Sequence, residues 1–426
     1  MADKVRVVLP EKYDLVAGEN FQLFYRGVIE APNPYLYNIV TICEIGKDFP
    51  RYFECCPEKE GEYKLAISLY DTDKTLICKG ETVLKVVAPK QQKDKVNVLC
   101  IGDSLTCGGE WVNEVNRRIS EKDGEPKGLG FENVNFVGSC TNSKVDFVAF
   151  GGWRWDCYAT VRRLAVWFEC EHNKDEKDQH SLWTDDEGNL WQLETIEKGR
   201  LKFLRYGLHS ASRPEKVNIK HYQNAVHQDE IYVEKSYDEA KNPFYDVEKE
   251  KIDILKFCRK NDIDKLDVIY IFLGANHYWE RERMTLDELC CDVVSKAREL
   301  LSYIKEAFPD VKIRIMGKML SSVNGGGANN YGASFPLSDW YEGVRYTHYL
   351  NEAYEKLAKE YDNTEFVNIS GQFDCEYCYP YEMKKVNARS SFTERLDTNA
   401  SHPTNDGYMM VADAVYRNLV ATLVDF

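Results

Sequence analysis

Up to about residue 93, apolar and polar positions alternate with a period close to two. The runs are VRVVL (5–9), FQLFYRGVI (21–29), LYNIVTICEI (36–45), GEYKLAISLYD (61–71) and TVLKVV (82–87). Gly, Pro, Asn and Asp punctuate them, and no segment has a helical period. The pattern therefore predicts a small all-β sandwich over 1–93. Pro89 to Lys95 is polar and charged, as a linker would be. From Val96 the pattern changes to near-continuous apolar runs: VNVLCIG (96–102), VNFVG (134–138), LDVIYIFLG (266–274), VKIRIMG (311–317) and TEFVNI (364–369). Such runs suit strands of a parallel sheet covered on both faces. Between them, Leu286, Leu289, Val293, Ala297, Leu300, Ile304 and Ala307 keep one face of a helix apolar. Thr285 and Glu288 have capping-box spacing, Met284 and Leu289 are placed as a staple, and Pro309 ends the segment. Residues 344–361 and 407–423 repeat the helical period. This alternation predicts a doubly wound α/β domain over 94–426. Residues 170–245 break the rhythm: they are strongly charged, with β-like pieces at LWQLETI and RLKFLRYGL, and read as an insertion with some β-structure.

A length of 426 residues allows two or three domains. Lys and Arg number 55 against 70 Asp and Glu, a formal charge of −15. That balance argues against a general binder of nucleic acid or anionic membranes, which needs clustered cations. No apolar run approaches the ~18 residues of a membrane span. The opening MADKVRVVLPEKYD has no apolar leader core, so the 14 cysteines read as free thiols in a reducing cytosol. The expectation is a cytoplasmic protein, with the oligomeric state open.

Four short segments carry candidate chemistry. Gly102-Asp103-Ser104-Leu105-Thr106 follows an apolar strand and precedes a helical stretch, which places a hydroxyl where open α/β sheets bind ligands. The same residues would equally serve as a helix cap. His402, in ASHPTNDGY just before the last helical stretch, supplies a base of near-neutral pKa, although seven other histidines are present. Gly274-Ala275-Asn276 ends a strand on the same predicted sheet edge, with an amide able to donate to an oxyanion, or simply a turn. Gly151-Gly152-Trp153-Arg154-Trp155 offers unobstructed backbone amides, or a glycine turn flanked by two core tryptophans.

In their order along the chain the four segments resemble the blocks of the GDSL, or SGNH, hydrolase superfamily. The resemblance covers 96–426 apart from the insertion. It implies a flavodoxin-like three-layer α/β/α sandwich with a five-stranded parallel sheet. It also implies Ser104 as nucleophile, His402 as base, and an oxyanion hole of the Ser104 amide, the Gly152 amide and the Asn276 side chain. No metal or organic cofactor is implied. The family usually has Asp three residues before the His, where this chain has Asn399. Asp397 then substitutes as the acid, or the site runs as a Ser–His dyad. His277 stands where the family motif carries Asp. A serine esterase cleaving a short, acetyl-like ester on a carbohydrate is the favoured expectation, with Trp153 and Trp279 placed to stack on sugar. A lysophospholipase or thioesterase is the alternative enzyme, and a non-catalytic carbohydrate-binding protein the alternative of another class.

Other signals are weaker. Cys375 and Cys378 form one CxxC without a second pair. Gly325-Gly326-Gly327 lacks the lysine of a phosphate loop. Asp185, Asp186 and Glu187 show no EF-hand pattern and read as a solvated run rather than a calcium site.

Overall fold

The computed structural model describes residues 5–140, 143–160, 164–179, 181–184, 190–206, 218–223, 226–232, 235–240, 242–246, 248–331 and 337–426. The chain divides into two compact units. One comprises Met1–Arg154, Lys265–Ser295 and Asp310–Phe426, the other Trp155–Asp264 and Lys296–Pro309.

In the first unit a parallel sheet is built from β1 (Val96–Gly102), β2 (Val134–Val137), β3 (Val268–Phe272), β4 (Lys312–Met316) and β5 (Thr364–Val367), in the order β2-β1-β3-β4-β5. A short strand, Val148–Ala149, extends it beside Ile101 and Gly102. Every residue of β1 and of β3 is buried, which explains why these strands read as unbroken apolar runs. In a sheet of this order the chain reverses direction of winding between β1 and β3, and a crevice opens at their carboxyl ends. The helices include α1 (Glu110–Ser120), α2 (Leu286–Ala307, whose residues from Lys296 on belong to the second unit), α3 (Leu337–Ala358) and α4 (Asn405–Val424). The α2 capping box forms as its spacing predicts: Thr285 N donates to Glu288 Oε2 at 2.8 Å and Glu288 N to Thr285 Oγ1 at 3.3 Å. Trp111, Val112, Val115 and Ile119 of α1 share a buried cluster with Val411, Val415 and Leu419 of α4.

The N-terminal segment forms small, mostly antiparallel sheets. Lys12–Val16, Leu76–Val87, Gly61–Tyr70 and Asn38–Cys43 make one; Phe21–Phe24, Tyr52–Cys55 and Lys47–Asp48 make another. They enclose a core that includes Tyr13, Leu15, Phe21, Leu23, Phe53, Leu65, Ile67 and Leu84. Two features depart from the alternation. Lys12–Val16 pairs in parallel with Leu76–Val87. Tyr25–Val28, in the middle of an expected strand, is a helical turn. Its tertiary contact decides this: Ser370 Oγ donates to Gly27 O at 3.0 Å, and a Cβ on Gly27 would lie 2.0 Å from Ser370 O. A cluster of ion pairs joins the same two regions. Arg26 reaches Glu376 at 3.0 Å, Arg51 reaches Glu376 at 2.6 Å and Asp374 at 2.5 Å, and the Tyr35 hydroxyl donates to Glu376 at 2.9 Å.

In the second unit, seven strands between Leu164 and Ala240 form a sheet, with a small core that includes Phe168, Trp183, Trp191, Leu201 and Phe203. Asp185, Asp186 and Glu187 lie outside the described residues. Among the described residues no helix is long and apolar enough to cross a membrane. Burial pushes the thiols of Cys375 and Cys378 above the usual thiol pKa.

Candidate active site

Ser104 begins a helical turn, Ser104–Cys107, directly after β1. Asp103 caps that turn: its Oδ1 accepts from Leu105 N at 3.0 Å, and its carbonyl accepts from Thr106 N and Cys107 N. The segment therefore caps the turn and stands at the carboxyl end of β1. Gly102 is required by a close approach, since a Cβ there would lie 2.1 Å from Thr106 Oγ1. Among the described residues the Ser104 N–H donates to no acceptor.

His402 lies in the short segment between Asp397 and α4. Asn399 Oδ1 accepts from both Ser401 N and His402 N at 2.9 Å, an Asx turn that fixes the backbone carrying the imidazole. The residue read as a departure from the family pattern thus has a positioning role of its own. Across 298 positions of sequence, His402 Nε2 and Ser104 Oγ stand 2.9 Å apart. Burial lowers the pKa of His402, and the carboxylate of Glu110, in the first turn of α1, opposes that shift. The shift favours the neutral ring, the form able to accept a hydroxyl proton. Activity is expected to rise with pH through a limb centred below the ordinary value of about 6.5. Since the Glu110 charge favours the imidazolium, Glu110→Gln should move that limb to lower pH; a pH–rate profile that stays in place would exclude Glu110 as the opposing charge.

Asp397, the expected acid, is not brought to the imidazole. It is fully buried; its Oδ2 accepts from Ser322 Oγ at 2.7 Å and its Oδ1 from Arg395 Nε at 2.9 Å. No hydrogen bond joins it to His402 among the described residues. Both oxygens are taken up by Ser322 and Arg395, and Asp397 closes the hairpin of Tyr381–Lys385 and Thr393–Asp397. Asp397→Ala should lower the melting temperature, because it leaves the buried Ser322 hydroxyl without its acceptor and Arg395 with only the carbonyls of Tyr377 and Tyr379, a loss of about 1–3 kcal/mol. The pH–rate limb should stay where it is.

Asn276 follows β3 through a turn at Gly274, whose φ is +125° and where a Cβ would lie 2.5 Å from Tyr354 Oη. Tyr346 and Tyr354 of α3 anchor the turn by donating to Gly274 O at 2.9 Å and Leu273 O at 3.1 Å. His277 is buried beside it, with its N–H donating to Gly274 O at 3.3 Å. The Asn276 amide donates to Asp103 Oδ2 and to Trp153 O, both at 3.0 Å, and so ties together the ends of β1 and β3 and the glycine turn. A methyl group placed on Gly151 would sit 4.0 Å from Ser104 Cβ, and Gly152 has a φ of +72°. Burial raises Asp103 to about 7 despite its hydrogen bonds from Leu105 and Asn276, so its charge changes near neutrality at the heart of this cluster.

The two tryptophans expected at the substrate differ. Trp153 is 2% exposed with its ring 4.2 Å from that of Phe150, and it offers no platform to a sugar. Its carbonyl, held by Asn276, is its contribution. Trp279 is 47% exposed and lines a cleft together with Leu105, Ala275, Ala400 and Ser401. Sequence reasoning missed Glu110 and Lys318. A first-turn acid six residues after Ser104 was the only available sign of Glu110, and a lysine directly after an apolar strand the only sign of Lys318.

No family model matches the chain, and no curated protein matches it. Among solved structures it is similar to a carbohydrate esterase family 3 from Talaromyces cellulolyticus, at 12% identity and a TM-score of 0.35 over 78% of this chain and 99% of that one. It is also similar to a carbohydrate acetylesterase from Sinorhizobium meliloti, at 11% identity and a TM-score of 0.34 over 77% of this chain and 100% of that one. Fibronectin(III)-like modules of Clostridium thermocellum CbhA match 20% of this chain and 99% of theirs, at 15% identity and a TM-score of 0.16. Likenesses this slight carry no inference about activity, which rests on the geometry of the chain itself.

Proposed function

We propose that this chain is a serine ester hydrolase of the SGNH type. The observation that carries the reading is the 2.9 Å approach of Ser104 Oγ to His402 Nε2 at the carboxyl ends of a parallel sheet. In the proposed reaction His402 Nε2 takes the hydroxyl proton as Ser104 Oγ bonds to the ester carbonyl carbon. The tetrahedral oxyanion is met by the Ser104 N–H, joined by the Gly152 N–H and by Asn276 once its amide exchanges one present acceptor for the substrate. Each such donor is worth about 3–4 kcal/mol. The intermediate collapses, the alcohol leaves with the proton from His402, and an acyl group remains on Ser104. Water then attacks with His402 as base, releasing the acid and restoring the hydroxyl. With Asp397 engaged elsewhere, the base is oriented by the Asn399 turn and biased by Glu110, so the site runs as a dyad.

For the substrate we propose a short acyl ester, acetyl-like in size, on a carbohydrate. The exposed face of Trp279 at the cleft supports a sugar-stacking role. A serine-directed phosphonate tests the class: one adduct on Ser104, absent after heat unfolding, is expected. A folded protein that stays unlabelled would favour the carbohydrate-binding alternative.

A further inference from the structure

The cleft beside Ser104 contains a cation with no counter-charge. Lys318 lies just past the carboxyl end of β4 and is only 7% exposed. Its Nζ donates to Met319 O at 3.1 Å and Thr347 Oγ1 at 2.9 Å, both neutral acceptors. An ammonium has three donors, so one remains. Among the described residues no carboxylate pairs with it, and the Tyr346 ring lies 6.0 Å away. Burial alone moves its pKa, down to about 8, which leaves it mostly charged at neutral pH.

The position of this lysine is held from both sides of its backbone. Asn351 of α3 accepts from Lys318 N at 2.8 Å and donates to Lys318 O at 3.0 Å. A residue with a second unpaired donor lines the same cleft. Trp340 Nε1 is buried and has no hydrogen-bond partner among the described residues, and Trp340 lines the cavity with Lys318. An unpaired buried cation and an orphaned buried N–H are each costly to keep. Their presence in one cavity has a common explanation if both serve an acceptor that arrives with a ligand. The cavity is bordered by Leu105, Ala275 and Ser401, the chain neighbours of Ser104, Asn276 and His402. Its volume is about 50 Å³. A water needs about 10–15 Å³ of such space, so the cavity admits a group of only a few heavy atoms.

We infer that this cavity binds a carboxylate carried by the substrate, with Lys318 and Trp340 as its donors. The inference rests on the hydrolase reading for the word substrate, but the site itself is defined by the two unsatisfied donors. It narrows the substrate from any short ester to one bearing an acid group close to the scissile bond. The acid is carried either on the acyl side, as in a half-ester of a short diacid, or on the alcohol side, as in an acetylated hydroxy acid.

The test uses the full-length Ser104→Ala protein, titrated calorimetrically with two matched pairs. Monomethyl succinate against dimethyl succinate places the charge on the acyl side; acetoxyacetate against its methyl ester places it on the alcohol side. At least one anion should bind about ten- to a hundredfold more tightly than its neutral partner, the range of a charge-assisted hydrogen bond. Lys318→Met should abolish that ratio, and Trp340→Phe, which keeps the ring and removes the N–H, should reduce it. If the methionine variant does not fold, Lys318→Gln takes its place, because it keeps a donor for Thr347 without the charge. The inference is overturned if neither anion is preferred, or if the preference survives loss of the lysine charge. Turnover by the unsubstituted protein separates the two readings. Hydrolysis of neutral esters with no anion preference would sink the carboxylate pocket alone. Lys318-dependent anion binding without any ester turnover would sink the hydrolase alone.

Discussion

Ser104→Ala is expected to reduce ester hydrolysis by about 10⁴-fold or more, because nucleophile and base act as one unit and the loss of either removes most of the chemical step. The fold should hardly respond. Ser104 Oγ makes one hydrogen bond, to His402, and the residue is half-buried. One such bond is worth about 1 kcal/mol, a shift of no more than about 2–4 °C in a chain of this size. Melting curves and turnover of an acetyl ester, measured on the same preparations, check both halves. A variant that keeps its rate would show that the hydroxyl and imidazole meet without reacting.

Asn276→Ala is expected to lower kcat by about 10²–10³-fold with little change in KM, the signature of a donor used only as the oxyanion forms. Unlike the serine variant, it should also destabilise the protein. The Asn276 amide holds Asp103 Oδ2 and Trp153 O, and its loss strips the buried Asp103 carboxyl of a partner that favours its charged form. The two effects can be separated by rate measured per folded molecule well below the melting temperature. A lower melting temperature with kcat intact would make Asn276 a tie between strand ends and nothing more.

The parallel sheet was legible because β1 and β3 are buried on both faces, so their composition alone announces them. The α2 cap was legible because a capping box is a local rule that tertiary context leaves alone. Tyr25–Val28 was not, since a contact with Ser370, 343 positions away, overrides the local alternation. At the site, the ends of apolar strands put Ser104 and Asn276 on one edge and the family resemblance added His402; in the structure His402 Nε2 stands 2.9 Å from Ser104 Oγ. Asp397 was mislocated for an equally physical reason. Sequence proximity to a histidine says nothing about which way a carboxylate faces, and Arg395, two residues before it, claims this one. Trp153 illustrates the same limit, for an aromatic near a cleft reads alike whether it lines the cleft or backs it. Lys318 carried no motif at all; its meaning comes from what fails to surround it.

The ion-pair cluster of Arg26, Arg51 and Tyr35 with Asp374 and Glu376 bears on how this protein is handled at the bench. Cys378 O, at the end of that acidic stretch, receives Thr404 N at 2.8 Å, two residues beyond the imidazole. A gene shortened to start at Val96 would strand two carboxylates next to the loop that delivers His402, and would strip the cover from Ser370 and Gly371. On the proposed reading the amino-terminal ninety residues act as a splint on His402, and cloning the α/β part by itself should yield a sluggish, fragile product instead of a minimal catalyst.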